Sequence, residues 1–116
     1  MKMFVSEILD RLSILELKSE RSDVDVEEEI DAYSHYLEEY DDYEDYFKRL
    51  KEVNGKNWDL ESDIRRGKEN ELGLEEVGRR AIKIRNLNGK RISIKNEISK
   101  KYNEGFIEKK VNHASE

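Results

Sequence analysis

Asn88, Arg91 and Lys95 stand three and four residues apart, so on a helix they share one face. An arginine fork and a lysine point charge suit a phosphate or a carboxylate. The asparagine amide adds a directional hydrogen bond. The setting of the trio gives it weight. From Val77 to Tyr102 the chain reads as one helix whose seam is Val77, Ala81, Ile84, then Asn88, Arg91, Lys95, then Ile98, Tyr102. The stripe is apolar at both ends and polar in its middle. A core-facing seam is normally apolar, because a buried charge without a partner is costly. The trio therefore meets a carboxylate inside the fold (Asp10, Glu16 or Glu61), meets an anionic ligand, or marks where the helix leaves the core. Gly89 in the same turn leaves room for another backbone.

Other segments offer residues to the same site. Asp10 and Ser13 interrupt an apolar stretch at i, i+3 spacing, with Glu16 and Lys18 following. In WDLESDIRR, Trp58 reads as an anchor, and Glu61 and Arg65 stand in the acid-first i, i+4 order that favours a helix ion pair. The candidate ligand-binding set is thus Asn88, Arg91, Lys95, Arg65, Lys18, Glu61 and Trp58. A second surface is acidic. From Asp23 to Asp45 there is no lysine or arginine, and Asp41, Asp42, Glu44 and Asp45 are the candidate partner-binding residues. That face would imitate nucleic acid or dock on a basic protein. Tyr33, Tyr36, Tyr40, Tyr43 and Tyr46 recur at helical spacing. They read as core or interface residues with wet hydroxyls, since the surrounding acids would repel a nucleic-acid backbone.

Several chemistries lack their residues. The chain has no cysteine, so disulfides, thiolate catalysis and cysteine metal sites are excluded together. His35 and His113 are too far apart in sequence to suggest zinc. No glycine-rich phosphate loop, HExxH pattern or serine-nucleophile motif is present. No metal and no cofactor are expected. One enzymatic reading stays open at fold level only: small helical dimers of the chorismate mutase kind stabilise a dianion with arginine, lysine and glutamate, and Arg11, Lys18, Arg91 and Glu61 would fill those roles.

The elements that must position these residues are helices. At 116 residues the chain suits one domain with a small core. Charged residues make up 43% and hydrophobic residues 35%, but the apolar residues are periodic. This favours long amphipathic helices and self-association over disorder. Absence of proline lets helices run on. The spacing of Val5, Ile8, Leu12 and Leu15 predicts a helix over 4–20. The seam from Val26 through Ile30, Tyr33, Leu37, Tyr40 and Phe47 to Leu50 predicts a second over 24–53, roughly 45 Å long at ~1.5 Å per residue. Asn54-Gly55 reads as its stop. A short helix over 58–68 and a last one over 74–103 follow. The expected fold is all-α, a single unit of antiparallel helices, four with one short, with coiled-coil-like packing and a tail that frays. Opposite charges on helices two and four would flank a shared antiparallel seam. No apolar run reaches the ~20 residues of a membrane span, and the first residues lack signal-peptide features, so a cytoplasmic place is expected.

Three segments in order, VSEILDRLSILELKSER, NWDLESDIRR and NLNGKRISIKNEI, resemble an uncharacterised family of small helical bacterial and phage proteins, a domain of unknown function. The matching positions are Asp10, Ile14, Glu16 and Lys18, then Trp58, Glu61, Asp63, Ile64 and Arg65, then Asn88, Arg91, Lys95 and Ile98. The acidic second helix and the tail depart from that pattern. The resemblance implies helices and a shared polar cluster, and no established activity. Lysine, isoleucine, asparagine and tyrosine are used in the style of an AT-rich genome, as in phages. The expectation is a non-enzymatic, homo-oligomeric helical binding protein. It would capture an anionic nucleotide- or phosphate-like ligand, as a phage-encoded inhibitor or trap for a host system. A protein-directed module built on the acidic face is the alternative.

Overall fold

The computed structural model describes residues 3–63 and 69–104, and every regular element among them is helical. Helix α1 spans Val5–Arg21, α2 Glu27–Tyr36, α3 Glu44–Asp63 and α4 Glu69–Tyr102, with a short 3-10 turn at Leu37–Glu39 after α2. The all-α expectation holds. Val5, Ile8, Leu9 and Leu12 of α1, Leu37, Leu50 and Val53, and Leu87, Ile94 and Ile98 of α4 form one buried cluster. Ile30, Tyr33, Tyr40 and Phe47 pack around it.

α4 runs antiparallel to both long neighbours. Along α3 it meets Arg49 at Glu97, Asn57 at Asn88 and Asp63 at Arg80. Along α1 it meets Glu7 at Lys95 and Asp10 at Arg91. Arg49 forks onto Glu97 with bonds of 3.1 and 2.7 Å. The fork holds the Glu97 carboxyl below its ordinary range, chiefly through those hydrogen bonds. α4 begins before the expected start at 74 and kinks at Gly73, while its other end follows the sequence. Gly73 is left-handed at φ 80°, so the regular helix starts at Leu74. Asn103 closes the other end at φ 51°, with Glu104 N–H bonded back to the Ser99 carbonyl at 3.0 Å. Glu104 then does a second job: its Oε1 accepts the Val5 N–H at 2.8 Å. No local side chain caps α1, so its first N–H is answered from beyond the end of α4.

The single helix expected over 24–53 is two helices. The chain leaves α2 through the 3-10 turn, extends at Tyr40 and turns left-handed at Asp42, φ 61°. The break has tertiary causes. Leu37 enters the core. Tyr40 meets the Tyr102 ring edge-on at 5.6 Å. Tyr102 Oη donates to the Asp41 carbonyl at 2.6 Å, and Lys101 Nζ to the Asp42 carbonyl at 2.9 Å. Burial and removal of solvent push the Tyr102 phenol above its usual range, with the neighbouring acids adding to the effect. A straight helix would forfeit these contacts.

The expected stop at Asn54-Gly55 is also absent, and the described part of the short helix expected over 58–68, residues 58–63, is the end of α3. Asn54 and Gly55 are buried inside α3. Arg21 of α1 crosses close above Gly55, within 3.3 Å of where a Cβ would stand, and its Nη1 donates to the Gly55 carbonyl at 2.9 Å. The glycine serves close approach rather than termination. The expected pairing of helices two and four holds only for the part that became α3. The acidic α2 lies on α1 instead. Residues 64–68 and 105–116, with Arg65 and His113, lie outside the described residues. Among the described residues no helix is long and apolar enough to cross a membrane.

The left-handed Asp42 gives a direct test. Asp42→Val puts a β-branched residue at positive φ and should cost about 1–2 kcal/mol, whereas Asp42→Gly should be near neutral or slightly stabilising. Urea denaturation followed by circular dichroism measures both.

Candidate functional site

The surroundings of Asp10 decide what the polar seam is. This aspartate faces inward on α1, between Leu9 and Leu12, and its side chain is only 2% exposed. The i, i+3 and i, i+4 spacing that makes α1 amphipathic places it there. Arg91 reaches it from α4: Nε lies 2.9 and 3.1 Å from the two carboxylate oxygens, and Nη2 bonds Oδ2 as well. Asn54 Nδ2 reaches Oδ1 from α3 at 3.0 Å and also donates to Ser13 Oγ at 2.8 Å. Ser13 Oγ donates to the Asp10 carbonyl at 2.7 Å. One carboxylate thus joins three helices. Lys95 sits beside it, 2.6 Å from Glu7 Oε1 and 3.9 Å from Asp10 Oδ2.

Of the alternatives open to the polar seam, Arg91 and Lys95 therefore take the internal carboxylate. Asp10 is the partner the sequence named for it, and Glu7 was missed. Glu7 carries no sequence signal beyond its position one turn before Asp10. Asn88 turns to the surface and accepts a bond from Asn57 Nδ2 at 3.0 Å. Asn57 Oδ1 is buried beside it with no hydrogen-bond partner among the described residues. Lys18, Trp58 and Glu61 are half-buried. Glu16 goes elsewhere, to Lys51 at 3.0 Å. Arg11 turns to α2 and bonds the Tyr33 hydroxyl at 3.4 Å. Asp41, Asp42, Glu44 and Asp45 are exposed in the α2–α3 connection and the first turn of α3. There Asp45 faces Arg49 at 3.8 Å. Among the described residues no cluster of histidine and carboxylate side chains is arranged to hold a metal.

A different face of α4 lines an open groove of about 420 Å³ against α3. Lys56, Asp59 and Leu60 form one wall, and Lys83, Asn86, Leu87 and Lys90 the other, over a mostly apolar surface. The volume lies in the ~300–1,000 Å³ range of small-molecule sites. Arg21 neutralises the one acid, with Nη1 2.7 Å from Asp59 Oδ1. Lys56 has a loose helix partner, Glu52 at 3.4 Å. Lys83 and Lys90 have no carboxylate within ion-pair distance among the described residues. The groove is therefore cationic at its rim and greasy below. Its signal was present in the sequence: Lys83, Leu87 and Lys90 recur at four and three, and Lys56 and Leu60 at four. It was masked because the basic residues of this helix also read as the flank of a seam shared with the acidic second helix.

No family model, curated protein or solved structure matches this chain. Geometry and chemistry alone carry the functional reading.

The two cations of the seam should differ sharply when removed. Arg91→Met strands a buried carboxylate and should cost about 3–5 kcal/mol. Lys95→Met frees Glu7, which can turn to water, and should cost about 1 kcal/mol or less. Asp10→Asn added to Arg91→Met should recover part of the first loss. Urea midpoints with unchanged slopes are the measurement.

Proposed function

We propose that this protein is a non-enzymatic helical binding protein that captures an anionic ligand of the nucleotide or phosphate class in the α3–α4 groove. One observation carries the reading. Lys83 and Lys90 stand over an apolar floor with no protein carboxylate among the described residues to answer them. A phosphate takes lysine as a point charge, and Leu60 and Leu87 offer apolar surface to a planar or greasy body. Asn86 supplies an amide for orientation. Asp59 leaves little repulsion, since Arg21 already holds it. The seam trio supports the site indirectly. Arg91 and Lys95 fix α4 against α1, and so set the angle at which Lys83 and Lys90 face α3. A ligand at the seam itself would have to displace Asp10 and Glu7.

Isothermal titration against nucleotides, sugar phosphates and inorganic phosphate tests this, with thermal unfolding alongside. At least one phosphate ligand should give heat and raise the melting temperature, by the equivalent of about 2.7 kcal/mol at a hundredfold excess over Kd. Lys83→Glu with Lys90→Glu should weaken that binding by about tenfold or more, since a charged hydrogen bond contributes roughly 1.5–3 kcal/mol. Silence across the panel overturns the proposal. Loss of binding in Lys95→Met, with the lysine pair variant still binding, would move the site to the seam.

A further inference from the structure

Charge on this molecule is separated in space as well as in sequence. Every aspartate and glutamate from Asp23 to Asp45 is exposed, and no lysine or arginine lies among them. Two large apolar side chains stand exposed in that same surface, Val24 at 56% and Tyr36 at 51%. The opposite balance occupies α4 from Glu75 to Lys90, where Arg79, Arg80, Lys83, Arg85 and Lys90 outnumber Glu75 and Glu76. Arg80 faces inward to Asp63, but Arg85 is exposed with no ion-pair partner among the described residues. Leu74 is 89% exposed and Ile82 51% exposed. Gly78 has open space where a side chain would project. Leu74, Gly78, Ile82 and Arg85 recur at four, four and three, so they form one outward ridge.

We infer that copies of this chain associate head to tail, with the α4 ridge Leu74–Gly78–Ile82–Arg85 of one copy seated on the acidic surface of α2 of the next. Each surface supplies what the other lacks: exposed apolar area to bury, and charge of opposite sign. Like surfaces would repel, so a twofold contact of α2 on α2 or of ridge on ridge is disfavoured. Repeated head to tail, a contact between two different patches is heterologous and builds rings or open chains. Gly78 lets the partner backbone come close to α4. The inference does not depend on the ligand groove, because Ile82 and Arg85 do not line it.

Sedimentation velocity on the full chain is the test. The weight-average mass should rise with concentration above the monomer value of 13.8 kDa. It should fall back as salt goes from about 0.1 M to 1 M, where the screening length drops from roughly 10 to 3 Å. Ile82→Glu with Arg85→Glu should weaken association by about tenfold or more, and so should Glu28→Lys with Asp31→Lys, because each juxtaposes like charges. The decisive sample is an equimolar mixture of the two double variants. Both contacts are then again of opposite sign, and the higher mass should return. Circular dichroism confirms that each variant is folded. A wild-type chain that stays monomeric throughout overturns the inference, as does assembly indifferent to both reversals. So does a mixture that remains monomeric while the wild type assembles.

Discussion

The fold turns on one carboxylate. Asp10 sits where α1, α3 and α4 meet, and removing it from water is expensive unless its oxygens are answered. Arg91 answers from α4 and Asn54 from α3. Their geometry permits only one register of the three helices. An apolar seam would hold the helices together but would tolerate sliding by a turn. A charged group with directional partners does not, because a slip leaves the carboxylate buried and unpaired. The interruption of the α4 stripe by Arg91 and Lys95 is thus the means by which α4 is aligned, and Ile94 and Ile98 fill the core around it.

That alignment sets the stage for the rest of the surface. Three lysines of α4 fall into two groups by helical angle. Lys95, with Arg91, faces α1 and finds carboxylates there. Lys83 and Lys90 face α3, where Asp59 is already taken by Arg21. One helix therefore carries both a set of cations paired within the fold and a set turned to the groove, separated by about a third of a turn. The acidic connection between α2 and α3 is handled differently. Its backbone is caught by Tyr102 and Lys101 at the end of α4, while its carboxylates point to water. Locking the main chain holds the exposed acidic surface in shape.

Much of this was legible in the residues. The apolar spacing of α1, its end near Arg21, and the end of α4 near residue 103 are local properties, and they emerged as expected. So did the pairing of Arg91 with Asp10, as one of the alternatives a polar step in an apolar stripe allows. The length of α2 was misjudged because residues 36–44 have helical periodicity. Periodicity says nothing of a left-handed turn at Asp42 that only the end of α4 stabilises. The stop at Asn54-Gly55 failed for the same kind of reason: both residues have work to do against α1.

By itself the sequence determined an all-helical chain, the faces its helices bury, and a basic step that must meet negative charge. Only the tertiary structure decided that protein carboxylates supply that charge, that the long acidic stretch breaks into two helices, and that Lys83 and Lys90 share a groove with α3. The division follows from energies. Local preferences such as a glycine in a helix are worth about 1 kcal/mol, whereas stranding a buried charge costs several. Where the two disagree, contacts between residues distant in sequence prevail.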